Sequence, residues 1–258
     1  MDQPAVVLQD LSHRFVTPSG AMMDVLQDVS VTVREKEFFT VVGPSGCGKS
    51  TLLNIASGLL QPKAGTVKRL KGDRELEKLE IGYITQDSNL FPWCTVIENV
   101  MMPLEIRKLP KRERVERARD WIKIVGLEGF ENHYPRQLSG GMQKRCAIAR
   151  TMVYEPEVLL MDEPFGALDA ITKVTMQKTI LDLWQQRQTS VMFITHDLTE
   201  AIALSDRVAV MTGRPGRIRR TVDIPLERPR DVYNITDLKN FRELRHELWD
   251  LLETDLES

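Results

Sequence analysis

The stretch Phe38–Ser50, FFTVVGPSGCGKS, limits the possible folds more than any other part of the chain. Five strand-forming residues run straight into G-x-x-x-x-G-K-S, and Thr51–Gly58 continues with helix-like spacing. A strand, a glycine-rich turn and a helix in that order bring successive backbone N–H groups to bear on one anion. Gly43, Gly46 and Gly48 let the backbone curl, with Pro44, Ser45 and Cys47 between them, and the helix adds its positive end. Lys49 would supply a point charge for the β and γ phosphates of a nucleotide, and the Ser50 hydroxyl a ligand for Mg2+. Thr51 completes the same phosphate-binding set.

A second element supports this reading. Val158–Pro164, VLLMDEP, is an apolar strand that ends in two adjacent carboxylates, and buried strands rarely end so without a charge to satisfy. Asp162 would hold Mg2+ through water. Glu163 would sit beside an attacking water as base or polariser.

Composition narrows the setting. A length of 258 residues, with 42% hydrophobic and 28% charged content, is that of an ordinary folded chain with a real core. A net charge of −2 gives no reason to expect nucleic acid as a partner. Cys47, Cys94 and Cys146 form no C-x-x-C pair, which suits free thiols in a reducing compartment and no metal cluster. Cys47, close to a helix N-terminus, is expected to have a lowered thiol pKa and to react with alkylating reagents. No apolar run approaches the roughly 18 to 20 residues that span a bilayer, and MDQPAVVLQD lacks the features of a signal peptide. The expectation is a cytosolic chain, unless a partner holds it at a membrane.

Short β-rich runs recur: VVLQDLSHRF, VSVTVREKEFFTVV, KLEIGYIT, EVLLMD, SVMFIT and RVAVM. Those around Val158–Met161 and Val191–Ile194 are almost wholly apolar, as in a parallel sheet covered on both faces. The first two alternate, which predicts a separate antiparallel sheet. Between Pro110 and Pro156 the period turns helical, with Val115, Ala118, Ile122 and Val125 on one face and Met142, Cys146, Ala149 and Val153 on another. A helical insertion in an α/β core follows. After Pro225, Leu238, Phe241, Leu244, Leu248 and Leu251 share one helical face, either packed on the domain itself or offered to a partner.

Residues 136–150, RQLSGGMQKRCAIAR, then pose a problem. Ser139, Gly140 and Gly141 open a second helix in a manner that cups an anion, although the chain already holds a fuller phosphate loop. In GPSGCGKST, Gln86, LSGGM, VLLMDEP, ALD and His196, in that order, the chain resembles the ATP-binding cassette (ABC) family, and LSGGMQKR resembles that family's signature motif. The resemblance runs from about residue 5 to 220.

It implies an α/β fold: a RecA-like P-loop core with a mostly parallel sheet, an N-terminal antiparallel β subdomain and an α-helical insertion. Residues 1–225 would form the ATP-binding domain, its helical subdomain at about 88–155, with 226–258 a C-terminal helical extension. It also implies ATP and Mg2+ as ligands and two cassettes sandwiching two ATP molecules head to tail. Ser139, Gly140 and Gly141 would then face the γ-phosphate held by the partner's loop. Phe15 lies where the family places a ring that stacks on adenine, although a core Phe is the plainer alternative. Gln86 would contact Mg2+ and the attacking water, His196 the γ-phosphate, and Asp169 the opposite cassette. Lys36 departs from the pattern: relatives carry Gly there, in a turn that needs positive φ, so a different turn or some strain is expected.

Within the family, Leu90-Phe91-Pro92-Trp93 and TGRPGRI at 212–218 resemble the nitrate, sulfonate, taurine and bicarbonate importer group. The implied role is that of an ATPase subunit on the cytoplasmic face of the inner membrane. It would drive an integral membrane permease and, indirectly, receive solute from a solute-binding protein. A non-transport ABC clamp acting on a protein partner is the alternative. The aromatic residues beside Gln86 would suit either a groove for a permease helix or local packing.

Overall fold

Alternate side chains of strand β3 (Phe38–Val42) enter two different cores, and this division organises the molecule. In the computed structural model, which describes residues 3–77, 80–166 and 168–253, Phe38 and Val42 face one apolar cluster while Phe39 and Val41 face another. A strand shows successive side chains to opposite faces, so a strand buried on both sides is largely apolar, and its one polar member here, Thr40, is satisfied by the Ser205 hydroxyl. The outermost ends of the expected domains (1–2 and 254–258) and the start of the KLEIGYIT run (Lys78, Leu79) lie outside the described residues.

β3 is central in a six-stranded sheet of order β10-β9-β3-β8-β7-β6. Its other members are β6 (Ile81–Ile84), β7 (Val158–Asp162), β8 (Ser190–Ile194), β9 (Arg207–Met211) and β10 (Ile218–Asp223). All pairings are parallel except β9 with β10. The second sheet is antiparallel in the order β2-β1-β4-β5, built from β1 (Pro4–Val16), β2 (Met22–Arg34), β4 (Ala64–Lys71) and β5 (Arg74–Glu75). The run VSVTVREKEFFTVV is thus split between the two sheets. The break falls at Lys36, whose φ of 61° is the positive value that a Gly would take without strain.

One core packs β1, β2 and α1 (Lys49–Ser57) on one face of the central sheet, with Leu8, Val29, Leu52 and Leu53 buried. The other core joins the opposite face to the helices. There Phe38, Phe165 and Phe193 meet edge to face. The helical insertion consists of α2 (Val96–Ile106), α3 (Lys111–Ile124) and α4 (Gly140–Met152). Helix α2 starts at a capping box, Thr95 with Glu98, and carries Pro103 in its interior. That proline hides the helix from a periodicity reading.

Helices α5 (Ala170–Arg187) and α6 (Leu198–Leu204) complete the core. The C-terminal helix α7 (Phe241–Glu253) buries Phe241, Leu244 and Leu248 against the chain's own surface, whereas Leu238 precedes it and is exposed. Arg230 fastens the connecting segment. Its buried guanidinium donates to the carbonyls of Ile202, Ser205, Ile224 and Leu226, so its charge is fully hydrogen-bonded. Among the described residues no helix is long and apolar enough to cross a membrane.

Candidate active site

The C-terminal ends of five neighbouring parallel strands open onto one cavity of about 460 Å³. The loop after β3 contributes Ser45, Gly46, Gly48 and Lys49, with Ser50 and Thr51 behind them in α1. Gln86 comes from the loop after β6, Glu163 from β7, His196 from β8 and Arg214 from β9. Phe15 and Met23, opposite one another on β1 and β2, form the wall furthest from the strand ends in sequence. Ligands of open α/β sheets sit at this edge because it gathers loops and helix N-termini.

The phosphate loop takes the predicted shape. Gly46 and Gly48 have φ of 77° and 105°, values that side chains disfavour. Gly43 is required for space: a Cβ there would stand 2.9 Å from the Met211 carbonyl. The buried Lys49 ammonium lies at the loop's centre, donating to the carbonyls of Gly43 and Pro44 at 2.8 and 2.9 Å. Those two neutral acceptors would be exchanged for anionic oxygens when a polyphosphate enters. Cys47 corrects an expectation. Its side chain is buried behind the loop, and burial pushes the thiol pKa up although Lys49 and Arg214 pull the other way. Desolvation outweighs the neighbouring cations and backbone hydrogen bonds, and the buried Cys47 side chain packs in the core behind the loop.

Asp162 ends β7 almost fully buried, with the Ser50 hydroxyl beside it. Burial raises its carboxyl pKa, opposed first by Ser50, while neighbouring Glu163 raises it further and Lys49 and Lys144 lower it. A hydroxyl and a carboxylate converging on the mouth of the loop suit a hard cation that keeps water and phosphate oxygens as its other ligands. That is the habit of Mg2+. Glu163 follows in a left-handed conformation, φ 43°, its N–H bonded to the Ile194 carbonyl. That backbone turns the Glu163 side chain toward the cavity it lines. The Glu163 carboxylate meets Nδ1 of His196 at 3.1 Å.

Ser139, Gly140, Gly141 and Asp169 are not part of this cavity. Ser139 caps α4 by accepting from the Met142 N–H, Asp169 caps α5 by accepting from Thr172, and both are exposed. The α4 N-terminus therefore points its free N–H groups outward, toward whatever lies beyond the chain.

Two cationic residues escaped the sequence reading, as did the apolar wall residues Met23 and Val25. Arg214 lines the cavity from the turn between β9 and β10. Lys144, 2% exposed, reaches from α4 to donate to the carbonyls of Thr85 and Gln86 at 2.5 and 2.8 Å. Burial lowers the Lys144 pKa to about 8, with Asp162 and Asp87 opposing the shift.

The geometry fits phosphoryl transfer to water: a glycine-rich loop around a buried lysine, a hydroxyl beside a buried carboxylate, and a second carboxylate in contact with an imidazole. Comparisons with known proteins agree. The family model described as ABC transporter matches residues 26–166. An ABC transporter ATP-binding protein of Methanocaldococcus jannaschii is 48% identical over 92% of this chain and 88% of its own length. The taurine import ATP-binding protein of Pelagibacter ubique is 39% identical over 96% of this chain and 94% of its own. The aliphatic sulfonates import ATP-binding protein of Bacillus cereus is 39% identical over 96% of each. Among solved structures, a dimeric ATP-binding cassette in a post-hydrolysis state with ADP and Pi superposes with a TM-score of 0.77 at 31% identity. It covers 86% of this chain and all of its own.

Proposed function

The chain belongs to the ABC transporter family, and we propose that it is the ATP-hydrolysing subunit of an importer for a small anion. The carrying observation is the outward-facing Ser139–Gly141 tip, which lies outside the cavity holding Lys49, Glu163 and His196. Two cassettes placed head to tail close each other's sites, the tip of one capping the nucleotide held by the loop of the other. The dimeric state of the solved relative supports this arrangement. Phe15 stacks on adenine and Asp169 meets the opposite cassette. Ser50 and Gln86, with Asp162 through water, would hold Mg2+, which would neutralise charge on the phosphates. Glu163 takes the proton of the attacking water.

A separate permease converts closure of the two cassettes into movement of solute. A groove of about 320 Å³ beside the Gln86 loop, with Phe91, Met102, Ile106 and Tyr154 as its apolar wall and Arg107 and Arg150 as its charged one, suits a short amphipathic helix of that permease. Trp93 stands at 71% exposure next to Phe91, free to cover such a helix. Docking there would hold the chain at the membrane surface. The named relatives support an organosulfonate such as taurine as the solute; nitrate and bicarbonate rest on the resemblance of the sequence motifs alone.

Affinity capture of the tagged chain from detergent-solubilised native membranes should return a polytopic membrane protein. ATP turnover of that complex, reconstituted with its solute-binding protein, should rise with taurine or an alkanesulfonate. Recovery with soluble partners alone would favour a protein clamp instead.

A further inference from the structure

The turn 212–217, TGRPGR, connects β9 to β10 and carries Arg214 into the cavity wall. It is fixed on one side to β2. The Gly216 N–H donates to the Val25 carbonyl at 2.9 Å, and the Gly216 carbonyl accepts from the Gln27 N–H at 3.0 Å. On its other side it presses on the outer backbone of the phosphate loop at two consecutive carbonyls. Arg214 donates to the Gly46 carbonyl through Nη2 at 2.8 Å and Nε at 3.2 Å. Gly216 lies so close to the Cys47 carbonyl that a Cβ would stand 2.2 Å from it. Nη1 of Arg214 meets Sδ of Met23 at 2.9 Å, which ties the same side chain to the wall carrying Phe15.

A trans peptide points its C=O and N–H in opposite directions. Holding the Gly46 carbonyl outward therefore turns the Cys47 N–H toward the inside of the loop, where its bond to the Pro44 carbonyl is long, 3.4 Å. The guanidinium also polarises that peptide and adds positive charge at the rim of a cavity whose other cation is Lys49. We propose that the 212–217 turn is a brace for the phosphate loop, and that Arg214 is a positioning residue that pre-sets the loop's N–H groups for a nucleoside di- or triphosphate. A loop ordered beforehand loses less entropy on binding, so the brace acts on affinity. It serves ADP and ATP alike, since it works through the loop and not on the γ-phosphate.

The proposal rests on the nucleotide occupying this loop, and the test separates the two ideas. Binding of ATP and ADP with Mg2+ is measured by calorimetry on the full chain, followed by steady-state turnover. Arg214→Ala should weaken both nucleotides about tenfold, the size expected for losing a charge-assisted, forked bond. Arg214→Lys, which keeps the charge but not the fork, should weaken both about threefold. The loss should fall on KM, with kcat at saturating ATP changing less than KM does. Wild-type affinity in folded Arg214→Ala would overturn the brace alone, and so would a defect confined to ATP. A wild-type chain that binds neither nucleotide would overturn the placement of the site.

Discussion

Nδ1 of His196 stands 3.1 Å from Oε2 of Glu163, joining the loops that leave β8 and β7 across the edge of the central sheet. The imidazole is largely exposed and the carboxylate mostly enclosed, so the pair spans the cavity from rim to floor. Glu163 is thereby held in one orientation while His196 stays accessible to a ligand.

Glu163→Gln keeps the shape and can still bond to His196, but it cannot take a proton. Phosphate release at saturating ATP should fall roughly a hundredfold or more, as for other lost transition-state groups, while ATP binding persists. Size-exclusion chromatography with ATP should then show an accumulated dimer. An undiminished rate would remove Glu163 from the chemistry.

Cys47 should be inert in the folded chain. Burial raises its thiol pKa, so less thiolate is present at any given pH than for a free cysteine. Iodoacetamide labelling at pH 8, read by mass spectrometry, should be at least about tenfold slower at Cys47 in the native chain than in urea, because only the thiolate reacts. ATP should give little additional protection. Rapid native labelling that ATP suppresses would restore the reactive-thiol expectation.

Lys36 tests the strained turn between β2 and β3. A left-handed conformation costs a non-glycine residue about 1–2 kcal/mol, and glycine gives back roughly half of that through its looser unfolded chain. Its N–H, bonded to the Ser190 hydroxyl at 3.0 Å, survives the substitution. Lys36→Gly should therefore stabilise the protein by about 0.5–1 kcal/mol in urea unfolding, with turnover unchanged, since the turn is remote from the cavity. Destabilisation would mean that the side chain contributes more than its backbone strain costs.

These cases also show where the sequence was readable. The phosphate loop and Glu163 were legible because a strand end fixes the position of the next residue, whereas Gln86 and His196 were found through the resemblance to the ABC family, each following a β-rich run. β4 and β10 are half-exposed and polar, so no apolar run announces them. Pro103 disguised α2. Arg214 touches the phosphate loop across 168 residues of chain, and Lys144 reaches Thr85 across 59. Contacts at that separation leave no periodic trace. For Cys47 the nearby helix start was visible in the sequence but the depth of burial was not.

Lys144 offers a test of that unread layer. Its ammonium ties α4, whose first residues form the Ser139–Gly141 tip, to the backbone of Gln86 in the cavity. One helix thus connects the exposed tip, where we propose a second cassette docks, with a residue that lines the chain's own cavity. Lys144→Met matches the aliphatic stem and removes a costly buried charge, but it leaves two carbonyls without their donor. Thr85 and Gln86 are partly exposed, so water can replace the lost bonds. The stability cost should accordingly be small, about 1 kcal/mol. Catalysis should suffer more, because Gln86 loses its anchor: kcat should fall roughly tenfold or more, the scale of a small misplacement, with KM moving less. Thermal unfolding and steady-state kinetics on the same preparation separate the two effects. A variant that is less stable yet turns over normally would reduce Lys144 to a structural strut.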